Sequence, residues 1–440
     1  MAELAGFPYF EIEFKKDGVI HDQAQVHALE TFLHQSAVTD LLFLAHGWNN
    51  DIADARWLYG ALLGSVRTLL DSAPPSGLAN RSYAVVGLFW PSKKFADAEL
   101  IPSGAASVGS VVSDTLLRDQ LDELKGVFSA PNADAKLDQA KQLVGRLNDS
   151  PAARRELVDL VRSILPRAAA NSEDASDRFF TVDPDQLMHR LSQPIMQAGP
   201  SARSGAGGAS SLGGPHGSAA GFELSLSGMK AAARRLLNYA TYYQMKERAG
   251  TVGRGGVSKV LRVVRESHPN LRLHLAGHSF GGRLVTAATA GAEELAPVRI
   301  SSLTLLQAAF SHNGLAERFD GTHNGMFRRI VTDQMVTGPI MITCTPNDVA
   351  VGMAYPIASR IANQAASRFG DASDPFGGIG RNGAQHTPEA VEAQLLPVPS
   401  TYAMESHKIY NLHADAFISD HGDVTGPEVA QALLSAIAAS

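Results

Sequence analysis

The sequence predicts an α/β protein with a mostly parallel, doubly wound sheet. Short apolar runs with the composition of buried strands alternate with longer segments whose apolar residues recur at helical spacing. The connections between successive runs are long enough to hold a helix, and crossovers of that length join parallel neighbours. Strands and helices that alternate in this way are typical of a sheet covered by helices.

Seven strands follow from these runs. The first, residues 7–14, alternates apolar and polar side chains as an edge strand does, and a turn signal at 15–18 ends it. The others are predominantly apolar: residues 40–45, 83–90, 271–275, 300–309, 339–345 and 408–412.

Helices are predicted between these strands. The segments with a helical apolar period are residues 21–35, 51–70, 229–245, 257–267, 283–295 and 428–439. Thr425 and Glu428 have the spacing of a capping box at the start of the last helix. The glycine-rich residues 250–256 are predicted to form a loop, and they lack the Lys-Ser/Thr pair of a phosphate-binding P-loop.

Residues 95–228 interrupt the alternation. They contain several amphipathic helices and no convincing strand, and Ser150-Pro151 and Asp183-Pro184 begin two of the helices with a cap followed by proline. We expect residues 1–94 and 229–440 to form the core and residues 95–228 to form a helical cap over the functional site. A helical domain unrelated to catalysis is the alternative. Within this stretch, residues 198–221 are rich in Gly, Ser and Ala and are expected to be flexible.

The composition is that of an ordinary globular protein, with 45% hydrophobic and 19% charged residues. A net charge of -6 argues against a nucleic-acid partner. No uncharged apolar run reaches the roughly 18 residues of a membrane span, and no signal peptide is visible. These features predict a cytoplasmic protein, although export by a route without a cleavable signal would leave no trace. The only cysteine, Cys344, lies in an apolar run and is expected in the core.

Gly277, Ser279 and Gly281 fit the pattern G-x-S-x-G of a nucleophile elbow. A predicted strand precedes them and a helix of small residues follows, so the serine would lie on a sharp strand-to-helix turn. Glycine is favoured two positions before and after the serine because the backbone is crowded there, and Gly282 allows still closer contact. The N-terminus of the helix favours negative charge beside the hydroxyl. The pattern predicts a nucleophilic serine, with a structural turn as the alternative.

A serine nucleophile needs a base, and the base needs an acid to orient it. Asp348 follows the strand at 339–345, at the end where a carboxylate can hold an imidazole above the sheet. The alternative is an ordinary turn aspartate, because Pro-Asn-Asp is strong turn chemistry. Asp320 and Asp333, in the loop before that strand, are competing acids.

Three late histidines are candidates for the base. His421 lies between the last strand and the last helix and is the predicted base, with His413 in reserve, whereas His407 precedes the strand and belongs at its far end. The polar residues here lack a known metal-ligand spacing, so a solvated loop is favoured over a metal site: His407, His413, Asp415, Asp420, His421 and Asp423. No metal or organic cofactor is predicted.

An oxyanion hole requires two backbone N–H groups aimed at the developing charge. One normally comes from the residue after the nucleophile, here Phe280, and the other from the loop after an early strand, here His46-Gly47-Trp48. Trp48 is the predicted second donor, and its indole could also line the acyl pocket; a core anchor is the alternative. His46 is expected to be a structural hydrogen-bonding residue.

In chain order, the segments LLFLAHGWNN, VVGLFWPS, LAGHSFGGRL, CTPND and SDHGDV resemble the α/β-hydrolase superfamily. They are similar to bacterial esterase/lipase-type members of largely unassigned role, which pair a histidine-glycine-aromatic-asparagine loop with a tryptophan-proline-serine strand end. The resemblance spans residues 40–92 and 257–439, and it implies that Ser279, Asp348 and His421 form the triad. One departure is the stretch Gln307-Ala-Ala-Phe-Ser-His-Asn after the apolar run around Leu303, which lacks the acidic residue that some relatives have there; this leaves Asp348 as the main acid.

The sequence therefore predicts a serine hydrolase that cleaves a small-molecule or lipid carboxylic ester through an acyl-enzyme. An amidase or peptidase on the same triad and a non-catalytic binding protein of the same fold are the alternatives. No motif specifies the natural substrate or the oligomeric state.

Overall fold

The computed structural model describes residues 2–72, 74–92, 114–174, 176–193, 228–348, 351, 361 and 374–440. The segment predicted to be flexible, 198–221, and the start of the predicted insertion, 95–113, lie outside these residues. The chain divides into two compact units. The first comprises residues 1–93, 245–351 and 378–440, and the second comprises residues 94–244 and 352–377.

A nine-stranded sheet forms the centre of the first unit. Its strands are β1 Ala2–Leu4, β2 Phe7–Glu13, β3 Asp40–Ala45, β4 Tyr83–Phe89, β5 Arg272–His278, β6 Ser302–Leu306, β7 Ile340–Cys344, β8 Ala390–Gln394 and β9 Ile409–His413. Their order is β1-β2-β4-β3-β5-β6-β7-β9-β8. Strands β1 and β2 pair antiparallel, and all the other neighbours pair parallel. The predicted α/β class with a mostly parallel sheet is thereby confirmed.

The two strands at the edges of the sheet, β1 and β8, were not predicted from the sequence. The three-residue β1 pairs with β2, with Leu4 opposite Phe7, so the prediction that residues 7–14 form an edge strand is wrong. At the other margin, β8 pairs with β9 although its residues are exposed or half-buried. A short or polar strand has little apolar pattern of its own, because its pairing partner stabilises it.

The helices are α1 Gln23–Gln35, α2 Ile52–Ser72, α3 Asp114–Glu123, α4 Ala133–Leu143, α5 Pro151–Ser163, α6 Ser176–Thr181, α7 Pro184–Ser192, α8 Met229–Thr251, α9 Ser258–Ser267, α10 Phe280–Ala290, α11 Arg329–Thr332, α12 Ile379–Asn382 and α13 Pro427–Ala438. The boundary between the units falls inside α8, after Gln244. In the second unit, the side chain of Ser150 caps α5 and that of Asp183 caps α7, as the cap-proline pairs predict.

Two local predictions are wrong. Residues 250–256 do not form a loop, because α8 continues through Thr251 into a π-helical turn, Val252–Val257, that leads to α9. Gly253 is needed in that turn, since a Cβ there would lie 2.2 Å from the carbonyl oxygen of Leu284. The predicted capping box of α13 is also absent, because its N-cap is Gly426 and no side chain caps it.

The register of the parallel strands brings four loops to one edge of the sheet. Ala45 at the end of β3 lies opposite Gly277 of β5, and Cys344 at the end of β7 lies opposite His413 of β9. The loops that carry Trp48, Ser279, Asp348 and His421 therefore all leave the sheet at its carboxyl edge. Ligand sites of open α/β sheets lie at this edge.

Candidate active site

Ser279 occupies a strained turn between β5 and α10. Its backbone has φ 56° and ψ -125°, a combination that is sparsely populated for a residue with a side chain. Strain of this kind costs about 1–3 kcal/mol and persists only where the surroundings fix it. Here the Ser279 N–H donates to the Leu306 carbonyl at 3.0 Å, and the Ala309 N–H donates to the Ser279 carbonyl at 2.9 Å. Both peptide groups of the serine are thus fixed by the chain that leaves β6.

The three glycines around Ser279 lie where a larger side chain would clash with neighbouring atoms. A Cβ on Gly277 would lie 2.3 Å from the Gly281 carbonyl oxygen, and one on Gly281 would lie 2.2 Å from that of Ala45. A Cβ on Gly282 would lie 2.5 Å from the Cβ of Ala308. These separations are far below van der Waals contact. Gly277 therefore lets the strand approach the start of the helix, Gly281 lets the turn approach the end of β3, and Gly282 lets it approach the chain after β6.

Asp348 and His421 converge above the carboxyl ends of β7 and β9. The Asp348 side chain is fully buried, and its Oδ2 lies 2.9 Å from Nδ1 of His421. Its other oxygen, Oδ1, accepts a hydrogen bond from the Val351 N–H at 2.9 Å. With the proton on Nδ1 committed to Asp348, the lone pair of His421 resides on Nε2, the atom that a general base uses.

The environment of His421 favours its protonated form. Burial by itself lowers the pKa of the imidazole, but the charge and hydrogen bond of Asp348, aided by the charge of Asp420, raise the pKa above its ordinary value. A base whose pKa is raised by a buried carboxylate can hold a proton during a reaction and release it afterwards.

His278, the residue before the serine, positions His421 and has no counterpart in the sequence analysis. Its Nε2 lies 2.8 Å from the backbone carbonyl oxygen of His421, and the two rings are 4.7 Å apart. Burial, together with the charge of His421, lowers the pKa of His278 to about 3, so the ring stays neutral and Nε2–H donates to the carbonyl. Because it occupies a variable position of the motif, the pattern gives no sign of this role.

Two further side chains hold the acid loop. Asn347 donates from Nδ2 to the Ile418 carbonyl at 2.9 Å, which ties the loop after β7 to the loop that carries His421. Arg381 donates from Nη1 to the Pro346 carbonyl at 2.6 Å and to the Asp348 carbonyl at 3.2 Å. The Asp348–His421 contact therefore rests on a hydrogen-bonded frame.

The loop after β3 lies directly against the serine. A Cβ on Gly47 would be 2.8 Å from the Ser279 Cβ and 3.3 Å from its Oγ. His46 is buried, accepts the Trp90 N–H at Nε2 and lies 3.0 Å from the Gly47 carbonyl oxygen through Nδ1. Nδ1 therefore carries the proton and donates to that carbonyl. Burial also lowers the pKa of His46 to about 4, which keeps the ring neutral.

This contact orients the peptide between Gly47 and Trp48. In a trans peptide the C=O and N–H point in opposite directions, so a carbonyl held by His46 turns the Trp48 N–H the other way. The indole of Trp48 packs on Phe280, with ring centroids 6.0 Å apart. Its Nε1 is buried and has no hydrogen-bond partner among the described residues.

The loop after β3 and the end of β4 are one hydrogen-bonded structure. Trp90 donates from Nε1 to the His46 carbonyl at 3.0 Å, and Ser92 donates from Oγ to the Asn50 carbonyl at 2.8 Å. Asn49, at φ 64°, donates its N–H to the Ser92 carbonyl at 3.1 Å. This explains why a histidine-glycine-tryptophan-asparagine loop accompanies a tryptophan-proline-serine strand end in this sequence.

The competing residues lie elsewhere. His413 ends β9 and pairs through Nε2 with Glu392 of β8 at 2.6 Å, and His407 contacts the Val336 carbonyl at the opposite end of the strand. Asp320 pairs with His323 and Asp333 pairs with Arg329, both at the surface. None of the four is placed with Ser279. The Oγ of Ser279 makes no hydrogen bond to a described residue.

The chain matches no family model, no curated protein and no solved structure in the comparisons made with it. None of the helices described above is long and apolar enough to cross a membrane.

Proposed function

We propose that this protein is a serine hydrolase of the α/β-hydrolase type that cleaves carboxylic esters. The observation that carries the proposal is the double attachment of His421. Its ring is held by Asp348 at 2.9 Å, and its backbone is held by His278, the neighbour of Ser279, at 2.8 Å. His278 thus links the loop of the proposed base to the residue beside the strained serine, and the serine, acid and histidine follow the chain order of this superfamily.

The proposed reaction is acyl transfer in two stages. Ser279 Oγ attacks the ester carbonyl carbon while its proton passes to Nε2 of His421, and the Oγ–C bond forms. His421 then gives that proton to the leaving alkoxide as the C–O bond breaks. Water then attacks the carbonyl carbon of the acyl-enzyme and gives a proton to Nε2 of His421. The Oγ–C bond breaks, Oγ takes that proton, and the carboxylic acid leaves. Asp348 keeps the proton of the resting imidazole on Nδ1 and stabilises the imidazolium that forms.

The backbone N–H groups of Phe280 and Trp48 are the proposed oxyanion donors. Phe280 begins α10, whose N-terminus also favours negative charge. The contact of Gly47 with Ser279 and the carbonyl anchor at His46 support the assignment of Trp48. The unpartnered Nε1 of Trp48 further supports a place for this indole in the substrate pocket, where a polar group of the substrate would satisfy it.

The substrate is proposed to be a small-molecule or lipid ester. Residues 95–228, which supply most of the second unit, are the proposed cap that shapes the pocket. A series of p-nitrophenyl esters of rising acyl length, assayed beside the matching p-nitroanilides, separates esterase, lipase and amidase specificity. Hydrolysis of anilides in preference to esters would contradict the ester assignment.

A fluorophosphonate probe tests the nucleophile directly, because it phosphonylates an activated serine. We expect the wild-type protein to take one label and Ser279→Ala to take none, whereas Ser72→Ala, at an exposed serine of α2, should be labelled like the wild type. Labelling of Ser279→Ala, or no labelling of a folded wild-type protein, would contradict the proposal.

A further inference from the structure

A cluster of three metal-binding side chains lies far from Ser279. Glu30 and His34 are four residues apart on α1, so they project from the same face of that helix. His268 follows the last residue of α9 and caps its end. One donor atom from each of the three lies within 4.8 Å of the others. Over the ranges that the structure describes, this is the one group of His, Cys, Asp or Glu residues with such convergence.

Two atoms of this cluster are buried without a partner. The Oε1 of Glu30 and the Nε2 of His268 are inaccessible to solvent and make no hydrogen bond to a residue that the structure describes. A buried polar atom without a partner destabilises the folded state by about 1–3 kcal/mol. A bound group that contacts both atoms would remove this cost. The rings of His34 and His268 are 4.6 Å apart, which brings two imidazoles to the same point as the carboxylate.

We propose that Glu30, His34 and His268 bind one divalent transition-metal ion, with Zn²⁺ as the best match. Two imidazoles and one carboxylate are borderline ligands that suit Zn²⁺ better than Mg²⁺ or Ca²⁺, which take oxygen ligands. Tetrahedral zinc with bonds of about 2.0–2.2 Å places its ligands about 3.4 Å apart, so the side chains close by about 1 Å around the ion. Water or a fourth ligand completes the shell.

The role of this ion is structural. His268 lies before the first residue of β5, and Ser279 lies after its last residue. Seven residues of strand at about 3.3 Å each put the two sites about 20 Å apart, at opposite ends of the sheet. An ion here joins the end of α1 to the end of α9 and stabilises the folded chain, because the unfolded chain does not hold the three ligands together. The inference is independent of the proposed hydrolase activity.

Zinc binding to the intact chain tests the site. Protein freed of metal with EDTA is titrated with Zn²⁺ against a chromophoric chelator, and Co²⁺ is used to record the visible absorption of a four-coordinate site. His34→Ala and Glu30→Gln are the test variants, and the exposed His34 can be replaced without disturbing the core. His21→Ala, an exposed histidine just before α1, is the matched control.

We expect the wild type and His21→Ala to bind one Zn²⁺ with equal affinity, and each test variant to bind it at least about tenfold more weakly. Zn²⁺ should also raise the melting temperature of the wild type and leave that of His34→Ala unchanged. Failure of the wild type to bind Zn²⁺, or equal binding by His34→Ala, would overturn the proposal. Mg²⁺ should give neither effect, and a melting-temperature increase with Mg²⁺ that matches Zn²⁺ would overturn the zinc assignment.

Discussion

Replacement of Gly47 by alanine is the sharpest test of the proposed oxyanion loop, because the added carbon meets Ser279, the proposed nucleophile. The new Cβ would lie 2.8 Å from the Ser279 Cβ, whereas carbon atoms in contact are about 3.5–4.0 Å apart. Ser279 cannot move away, since Leu306 and Ala309 hold both of its peptide groups. The loop must therefore retreat by about 1 Å, and the Trp48 N–H moves with it.

That displacement sets the size of the effect. Oxyanion donors act at about 2.7–3.1 Å from the charge, and loss of one donor lowers kcat by about 10²–10³-fold. A 1 Å misplacement of catalytic groups has a cost of about 10²-fold. We therefore expect Gly47→Ala to lower kcat for a short p-nitrophenyl ester by about 10²-fold and to slow fluorophosphonate labelling of Ser279 in parallel.

Gly64→Ala provides the matched control. Gly64 lies on α2, and a Cβ there meets nothing within 4 Å, so alanine should leave kcat unchanged and stabilise the helix by about 0.5–1 kcal/mol. Circular dichroism and melting temperature establish that both variants fold. The reasoning is refuted if folded Gly47→Ala retains the wild-type kcat, or if Gly64→Ala loses as much activity as Gly47→Ala.

Two further predictions concern charge. In Asp348→Asn the raised pKa of His421 should fall, so the acid limb of the pH profile of kcat/KM should move to lower pH. The kcat should drop by about 10⁴-fold. An acid limb that does not move would contradict the pairing of Asp348 with His421. At the other end of the sheet, Asp40→Asn should lower the free energy of unfolding by about 3–5 kcal/mol, because it removes the buried partner of His274 and Arg81. Chemical denaturation of this variant beside Asp71→Asn, an exposed ion-pair control, measures the loss, and equal losses in the two variants would refute a buried network.

The same buried network should make the fold sensitive to acid. Burial raises the pKa of Asp40, but hydrogen bonds from His274 and Thr39 and the charge of Arg81 outweigh it and lower the pKa below its ordinary value. Burial lowers the pKa of His274 as well. The folded state therefore binds fewer protons than the unfolded chain at both residues. Their stabilisation is complete above about pH 6.5, the unfolded value for histidine, and declines as the pH falls.

The places of the candidate residues Ser279 and Asp348 could be predicted from sequence because each follows an apolar strand. Strands before Ser279 and Asp348 are marked by runs of buried residues, and parallel strands deliver their carboxyl ends to one edge. His278 could not be found in this way, because its function depends on a carbonyl that approaches it from 143 residues further along the chain. Tertiary hydrogen bonds of that kind leave no local pattern.

The wrong predictions have a common physical cause. The strand β1 has only three residues, and the exposed β8 has little apolar pattern, so both exist through pairing with a neighbour. The glycines of residues 250–256 predict a loop on propensity, but a Cβ at Gly253 would clash with the carbonyl oxygen of Leu284, so the glycine allows this close helix contact. In each case a contact made by the folded chain overrides the secondary structure that the local sequence favours.

The contacts around Ser279 maintain its strained backbone conformation. A serine at φ 56° is less stable than a glycine would be, yet the neighbouring positions are glycines and this one is not. A purely structural turn would gain by exchanging its serine for glycine, since nothing in the described residues hydrogen-bonds to the hydroxyl. Two backbone hydrogen bonds and three close-packed glycines instead hold Ser279 in the strained conformation. Such a local conflict within an otherwise consistent fold is typical of a site that is kept for its chemistry.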